Sequence, residues 1–209
     1  MPAFAAITPD SLAELVAERA VSTGRHPVRL GLDAPEWVPT EAWLARLAGA
    51  LLARGRPLAV IAARDFLRDA SLRLEHGRND VESYYAGWLD AAALEREVLL
   101  PLAETGHYLP SLRDPVTNRA TRAEPVSLPA NAVAVLTGPL LLAQSLSVDY
   151  TVHLAVSRAA RRRQAPAELA WTLPAYDRYD LELDPIQRAE LAVRWDDPQR
   201  PAVRASPGR

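Results

Sequence analysis

Residues 31–43, GLDAPEWVPTEAW, lie after an apolar run and before an amphipathic one, where a phosphate-binding loop is expected. Such a loop follows the pattern G-x-x-x-x-G-K-[ST], because its glycines let backbone N–H groups approach phosphate while its lysine and hydroxyl bind phosphate and magnesium. The stretch contains almost none of these residues. Thr40 followed by Glu41 is instead a good helix start that needs no ligand. The stretch is therefore either a dismantled nucleotide site or a turn that never bound one.

Other chemistries have little support. The chain has no cysteine, which excludes disulfides, thiolate metal sites and cysteine nucleophiles. All 24 residues of the combined lysine and arginine count are arginines, so no mechanism can use a lysine of this chain. No G-x-S-x-G elbow is present, and we predict no metal site. The histidines show no paired spacing for a metal: His26, His76, His107 and His153.

Charge and hydropathy limit the partners of the chain. A formal net charge of −2 gives no electrostatic case for nucleic acid or an anionic membrane. No apolar run reaches the length of a membrane span and the first residues lack a signal-peptide pattern, so we expect a cytoplasmic protein. With 49% hydrophobic residues among 209, we expect one domain over residues 1–195 and a loose tail rich in Pro and Arg at 196–209.

The elements that must position these residues alternate between strands and helices. Strands are predicted at 28–32, 58–62, 133–136 and 150–156, and helices from residue 9, over 43–55 and over 91–105. Such alternation of short apolar strands with helices predicts an α/β fold with a largely parallel sheet covered on both faces. Ligands of such sheets bind at the carboxyl ends of the strands.

The order of these segments resembles the uridine kinase-like branch of the P-loop kinases, the nucleoside kinase and phosphoribulokinase relatives. The resemblance covers nearly the whole chain and is carried by RLGLD (29–33), RPLAVIAARDF (56–66), GRNDVESYYAGWLDAAALEREVLLPL (77–102), VAVLTGPLLL (133–142) and DPIQRAELAVRWDDPQRP (184–201). It implies a P-loop NTPase-like three-layer α/β sandwich with a mostly parallel sheet.

The loop departs from this family at its functional positions. Ala34, Pro39, Thr40 and Glu41 stand where the family has its glycines, lysine and hydroxyl residue, and bulky Trp37 stands where relatives often have a small residue. Pro39 has no N–H to donate, and the β-carbon of Ala34 restricts the backbone. Glu41 offsets the positive end of the helix and repels phosphate, by roughly 1 to 4 kcal/mol for like charges about 4 Å apart. We expect weak or absent ATP binding, and Trp37 is well suited to fill the phosphate site.

The position of the catalytic base also differs. The family has an acid-x-Phe element after its second strand, whose first acid acts on the substrate hydroxyl; this chain has Arg64, Asp65 and Phe66 there. Asp65 is a weak catalytic candidate, because a shift of one residue at a strand end turns a side chain to the other face. Thr137 replaces an acid typical of the family. Together these changes remove the phosphate clamp, a metal ligand and the base.

Residues that match the acceptor site and lid of the family remain. The acceptor-site matches are Phe66, Asn79, Tyr84, Tyr85, Tyr108 and Asp114, with Asn79 in place of a nucleoside-binding aspartate. A base can stack on aromatic rings, although Tyr84 and Tyr85 packing a loop is the alternative. Arg158 and Arg162 resemble the lid arginines that close over phosphates, with a solvated arginine face as the alternative.

These observations predict a uridine kinase-like protein that is non-catalytic, a pseudokinase acting by ligand or partner binding and without a cofactor. Its expected partners are a nucleoside-like small molecule, a second copy of the chain or an active paralogue. The alternative is a divergent nucleoside or small-alcohol kinase that uses ATP and magnesium, with lid arginines in place of the loop lysine.

Overall fold

The computed structural model describes residues 3–204, which form nine strands and nine α-helices. The strands are β1 Phe4–Ala6, β2 Val28–Asp33, β3 Leu58–Ala62, β4 His107–Tyr108, β5 Val126–Ser127, β6 Val133–Gly138, β7 Tyr150–Ala155, β8 Leu191–Arg194 and β9 Ala202–Arg204. The helices are α1 Pro9–Ser22, α2 Glu41–Leu52, α3 Ala70–Arg73, α4 Val81–Gly87, α5 Ala91–Leu94, α6 Leu100–Thr105, α7 Arg158–Gln164, α8 Leu173–Leu183 and α9 Pro185–Arg188.

The main sheet has seven strands in the order β1-β9-β8-β7-β2-β6-β3. The five strands from β8 to β3 are parallel to one another, whereas β9 and β1 are added antiparallel at one edge. Strands β4 and β5 form a separate antiparallel pair. The prediction of an α/β fold with a mostly parallel sheet is confirmed.

Helices cover both faces of this sheet because neighbouring residues of each strand point to opposite sides. On β6, Val133 and Val135 belong to a core that includes residues of α1 and α2. The alternate residues Ala134 and Leu136 belong to a second core that includes residues of α5 and α6. A third, largely aromatic cluster lies between α4 and α8. The strands therefore lie between two helical layers, as the three-layer prediction requires.

The predicted helix over 91–105 is interrupted in its middle. A π-helical turn, Glu95–Leu99, separates α5 from α6. Pro101 has no N–H with which to bond the carbonyl of Glu97, and that carbonyl instead accepts the N–H of Leu109 at 2.9 Å. The proline thus frees a carbonyl that fixes the chain leading out of β4.

The segment after residue 195 differs from the loose tail that its composition predicts. Residues Ala202–Arg204 form β9, which pairs with β8 on one side and with β1 on the other. A turn closed by the Arg200 N–H and the Asp197 carbonyl brings the chain back onto the sheet. Pro198 and Pro201 of this segment lie before β9, so neither removes an N–H from the paired strand. Residues 205–209 of the predicted tail lie outside the described part.

Candidate ligand-binding site

The candidate site lies at the carboxyl end of β2, the strand between β6 and β7. From β2 the chain crosses to β3 at one edge, whereas β7 and β8 extend the sheet on the other side. Open α/β sheets bind their ligands outside the carboxyl ends of the strands, where the strand order reverses in this way. The loop that follows β2 therefore occupies the position where a ligand is expected.

Asp33, the last residue of β2, is only 1% exposed and accepts three hydrogen bonds. The Leu141 N–H bonds Oδ1 at 2.9 Å, and Oδ2 accepts from His153 Nδ1 at 2.7 Å and from the Tyr179 hydroxyl at 2.8 Å. The Tyr179 oxygen in turn accepts the Leu142 N–H at 3.2 Å. Burial and the neighbouring carboxylate raise the pKa of Tyr179. Since a buried carboxylate is costly without partners, these donors hold β2, β7, α8 and the turn after β6 together.

The loop over residues 34–39 offers few N–H groups to a ligand. Pro35 and Pro39 have no N–H. The Ala34 N–H is bonded to a carbonyl of β6 at 3.0 Å, and the Val38 N–H bonds the Pro35 carbonyl at 3.0 Å, which closes a tight turn. Val38 is buried in the core below. Four of the six residues therefore have no N–H left to donate.

Side chains anchor the tip of this loop and the helix after it. The Trp37 ring packs edge-on against Tyr176 of α8, with ring centroids 5.2 Å apart, so the loop is fixed to the helix beside it. The predicted helix start is confirmed, since α2 begins at Glu41. The Thr40 side chain, however, makes no capping hydrogen bond, and the exposed Glu41 supplies the negative charge of the first turn. An acidic residue at this end favours the helix without an anion.

A chain of hydroxyl hydrogen bonds connects the loop to α4 and α8. The Tyr84 hydroxyl donates to Glu36 Oε1 at 3.0 Å and lies 2.9 Å from the Tyr176 hydroxyl. Burial, followed by the proximity of Tyr176 and Glu36, raises the pKa of Tyr84. Glu36 is exposed as a residue, yet partial desolvation of its carboxyl raises its pKa, which the Tyr84 bond and the charge of Arg64 oppose. The loop thus carries a carboxylate that is partly removed from water.

A cavity of about 340 Å³, called here the aromatic cavity, opens between this loop, the carboxyl ends of β3 and β6, and α4. Its aromatic wall consists of Tyr84, Tyr85 and Trp88. Its polar groups come from Glu36, Thr40, Glu41, Arg64, Thr137 and Gln144. A concave volume with an apolar wall and a few polar groups is the usual form of a small-molecule site.

A second cavity, of about 270 Å³, lies on the other side of the loop, next to β7 and α7. Arg158 and Arg161 line it, and both are paired within the protein. Arg158 Nη2 lies 2.5 Å from Asp177, and the buried Arg161 contacts Asp177 at 3.3 Å and also pairs with Asp180. Arg162, the other predicted lid arginine, is exposed and does not line this cavity.

The structure brings only part of the predicted acceptor set together. Tyr84 and Tyr85 line the aromatic cavity, whereas Phe66 and Tyr108 are buried in the core on the side of α5 and α6. Phe66 ends a 3-10 turn, Ala63–Phe66, which turns its ring inward. The predicted aromatic pair at 66 and 108 therefore stabilises the fold and does not reach the cavity.

The remaining predicted polar residues also lie outside the aromatic cavity. Asn79 is exposed in the turn before α4, whose N-cap is the neighbouring Asp80. Asp114 accepts the N–H groups of residues 116 and 117 in a turn, which lowers its pKa. Asp65 is half-buried, and this burial raises its pKa while the charge of Arg64 lowers it. Asp65 does not line the cavity, so its carboxylate has no access to a ligand there.

Sequence reasoning missed Asp33, His153, Trp88 and Tyr176. Asp33 and His153 could have been found from the strand pattern. They are in register on the parallel strands β2 and β7, and residues in register share a face of the sheet. The positions of Trp88 and Tyr176 depend on how α4 and α8 pack, which has no local signature. Among residues 3–204 no cluster of three or more metal-ligating side chains is found, and no helix is long and apolar enough to span a membrane.

No family model and no curated protein matches this sequence. Solved structures with the same fold exist at low identity. A structure described as a possible uridine kinase from Bacillus stearothermophilus superposes with a TM-score of 0.67 and 16% identity, covering 87% of this chain and 97% of that one. A candidate fructose transport system kinase from Silicibacter sp. TM1040 has a TM-score of 0.61 and 19% identity, covering 84% of this chain and 95% of that one.

These similarities show the fold of the protein. The mostly parallel sheet between helical layers is a fold of the P-loop kinase type, and it resembles the folds of the possible uridine kinase and of the candidate fructose transport system kinase. Identities of 16% and 19% establish a shared fold, and the activity has to be argued from this chain's own residues.

Proposed function

We propose that this protein is a non-catalytic member of the P-loop kinase fold that binds a small, nucleoside-like molecule in its aromatic cavity. The observation that carries the proposal is the state of the loop after β2, where prolines and internal hydrogen bonds account for four of six N–H positions. A kinase of this fold holds the phosphates of ATP with the N–H groups of this loop and of the helix start that follows it.

The residues of the loop do not fit magnesium-ATP. The loop lacks free N–H groups at residues 34, 35, 38 and 39, no lysine exists in the chain, and a carboxylate, Glu41, occupies the first turn of the helix. Glu36 adds a second negative charge in the same loop. Each carboxylate repels a phosphate by roughly 1 to 4 kcal/mol at about 4 Å, so the loop disfavours the anion that it would have to hold. We derive no reaction step through ATP for this reason.

The base position supports the same proposal. Arg64 lies at the end of β3 and lines the cavity, where a kinase needs a carboxylate to accept the proton of the substrate hydroxyl. A guanidinium stays protonated in proteins and cannot accept that proton. The neighbouring carboxylate of Asp65 does not line the cavity. Phosphoryl transfer would therefore lack both the phosphate clamp and the base.

The aromatic cavity supports retained binding. Its volume of about 340 Å³ lies within the usual range for small-molecule sites, and its wall carries rings on which a planar group can stack. Such stacking contributes about 1 to 3 kcal/mol per base when tested by alanine substitution. A nucleoside-like ligand therefore suits both the fold, which resembles that of a possible uridine kinase, and the aromatic wall of the cavity.

The test is a calorimetric titration of magnesium-ATP and, separately, of a panel of nucleosides into the purified protein. We expect no heat from ATP and saturable binding of a nucleoside. Tyr85→Ala should weaken that binding by roughly 5- to 150-fold. The matched control is Leu181→Ala on α8, whose side chain is 87% exposed and which should leave the affinity unchanged. Micromolar binding of ATP to the unaltered protein would overturn the proposal.

A second experiment separates the loop from the base. Substitutions Ala34→Gly, Pro39→Gly, Thr40→Lys and Glu41→Thr restore the loop pattern. We expect little phosphotransfer from this variant until Arg64→Asp is added, because the base is still missing. Fast transfer by the loop variant alone would contradict the assignment of Arg64 to the base position.

The alternative, a divergent kinase that holds ATP with lid arginines, makes a different prediction. It requires magnesium-dependent turnover that falls when Arg158 or Arg162 is replaced. The ion pairs of Arg158 and Arg161 with α8 argue against it, since an incoming phosphate would have to displace carboxylates that are already in contact.

A further inference from the structure

The charges that line the aromatic cavity have opposite signs and do not pair with each other. Arg64 and Glu36 both line it, and no ion pair or hydrogen bond joins them within the described residues. Glu36 uses Oε1 to accept the Tyr84 hydroxyl, which leaves Oε2 without a protein partner in residues 3–204. Glu41, at the same wall, adds another carboxylate. The cavity therefore presents a guanidinium and carboxylates that a ligand can reach.

Glu36 and Arg64 line the same cavity without forming an ion pair, and their charges still influence each other. Glu36 and Arg64 are more than the 4.0 Å of an ion pair apart, yet the charge of Arg64 lowers the pKa of Glu36. A neutral molecule placed between them would remove water from both charges without replacing it by a partner. A simple anion would be attracted by Arg64 and repelled by Glu36 and Glu41. A simple cation would be attracted by the two carboxylates and repelled by Arg64.

The aromatic wall is fixed from behind. The Arg73 guanidinium covers one face of Trp88 at 5.0 Å, and the Arg178 guanidinium covers one face of Tyr85 at 4.3 Å. The Tyr84 ring packs edge-on against Trp88, with centroids 5.2 Å apart. Trp171 also packs against Trp88, with ring centroids 5.6 Å apart, so neighbouring side chains hold both rings in place. Fixed rings suit a flat or compact apolar body, because little side-chain entropy is lost on binding.

We infer that the aromatic cavity binds a small zwitterion, with an ammonium group at Glu36, an anionic group at Arg64 and an apolar or planar body against Tyr85 and Trp88. This inference rests on the proposal that the aromatic cavity binds a small molecule, and it assigns a zwitterion to the cavity in place of the nucleoside-like ligand. An amino acid with an aromatic side chain has each of these features. An amine meets a carboxylate and an aromatic wall, the two groups that favour a cation, and a carboxylate matches the planar fork of a guanidinium.

The test uses calorimetric titrations with L-phenylalanine and two analogues that each lack one charge, 2-phenylethylamine and 3-phenylpropanoate. Uridine is titrated in parallel. We expect phenylalanine to bind at least about tenfold more tightly than either analogue, because each analogue leaves one charged group of the cavity without its partner. Binding of phenylethylamine or phenylpropanoate as tight as that of phenylalanine overturns the inference.

Variants of the cavity identify which charge meets which group. Arg64→Gln should abolish the preference for phenylalanine over phenylethylamine, which lacks the carboxylate. Glu36→Gln should abolish the preference for phenylalanine over phenylpropanoate, which lacks the amine. The matched controls are Arg119→Gln and Glu75→Gln, both exposed and outside the cavity, which should leave both preferences unchanged. Equal effects of Arg64→Gln on both preferences would also count against the assignment of charges.

The uridine titration separates the two proposals. Binding of uridine without binding of phenylalanine overturns the zwitterion and supports the proposed nucleoside site. Binding of phenylalanine alone supports the zwitterion and replaces the nucleoside as the ligand of the cavity. Absence of binding of uridine, of the other nucleosides and of phenylalanine overturns both the nucleoside and the zwitterion proposals.

Discussion

Removal of a single hydroxyl tests the hydrogen-bond network around Asp33. Tyr179→Phe keeps the ring, which is 2% exposed, and deletes the donor to Asp33 Oδ2 and the acceptor of the Leu142 N–H. A hydrogen bond to a charged group contributes about 1.5 to 3 kcal/mol, and an unsatisfied buried N–H costs about 1 to 3 kcal/mol. Allowing for relaxation, we expect a loss of about 3 kcal/mol in the free energy of unfolding. For a chain of this length that corresponds to a fall of roughly 6 to 12 °C in melting temperature.

The measurement is urea unfolding followed by far-ultraviolet circular dichroism. Tyr150→Phe is the control, because the Tyr150 hydroxyl makes no hydrogen bond within the described residues, and we expect a change within about 0.5 kcal/mol. A double-mutant cycle with Asp33→Asn should show that Tyr179→Phe costs less once the carboxylate is gone. Tyr179→Phe and Tyr150→Phe of equal stability, with additive effects in the cycle, would refute the role assigned to this network.

The remaining predictions concern stability and its dependence on pH, each measured by urea unfolding. The pKa of Glu36 is raised in the folded state, so ionisation of this carboxyl opposes folding. The stability that the protonated carboxyl contributes is lost as pH rises from the ordinary pKa of 4.5 through the folded pKa. Glu36→Gln should therefore be more stable than the parent at pH 7 and not at pH 4. Gly138→Ala should cost about 1 to 3 kcal/mol, since its new Cβ would lie 2.6 Å from a neighbouring alanine Cβ, whereas Gly49→Ala in α2 meets open space and should gain about 0.5 to 1 kcal/mol. Arg161→Ala should cost about 1 to 3 kcal/mol, because Asp180 loses its hydrogen-bonded partner and, among the described residues, Asp177 keeps only Arg158. The exposed Arg162→Ala should stay within about 0.5 kcal/mol. Equal effects within either pair of substitutions would contradict the packing described for that pair.

The sheet was predictable because its strands leave a strong local signal. The run over residues 133–136 is apolar without interruption, as in strands covered on both faces, and it forms the buried part of β6. The start of the helix after β2 was equally predictable, since Thr40 followed by Glu41 is a local signal, and α2 begins at Glu41. Features that depend on neighbouring residues, such as strands and helix starts, can therefore be predicted from a single sequence.

The rest of the site depends on contacts between distant segments. Asp33 and Tyr179 are 146 residues apart, and their hydrogen bond depends on the placement of α8 over the sheet. Phe66 and Tyr108 match an acceptor site in sequence, but a 3-10 turn directs the first ring into the core. An aromatic residue at a strand end can face either side, and only the tertiary packing decides which.

The placement of the five tryptophans gives the protein two separate optical reporters. Trp37 and the neighbouring pair Trp88 and Trp171 surround Tyr84 and Tyr176 beside the aromatic cavity, and Trp88 and Trp171 lie 5.6 Å apart between ring centroids. Trp43 and Trp195 pack together in the core between α2 and β8. We expect a ligand in the aromatic cavity to change the fluorescence of Trp88, which lines it, and loss of the core to change that of Trp43 and Trp195. Replacing Trp43 and Trp195 by phenylalanine would leave a protein whose emission comes only from the tryptophans around the cavity, so that the proposed binding can be followed without any added label.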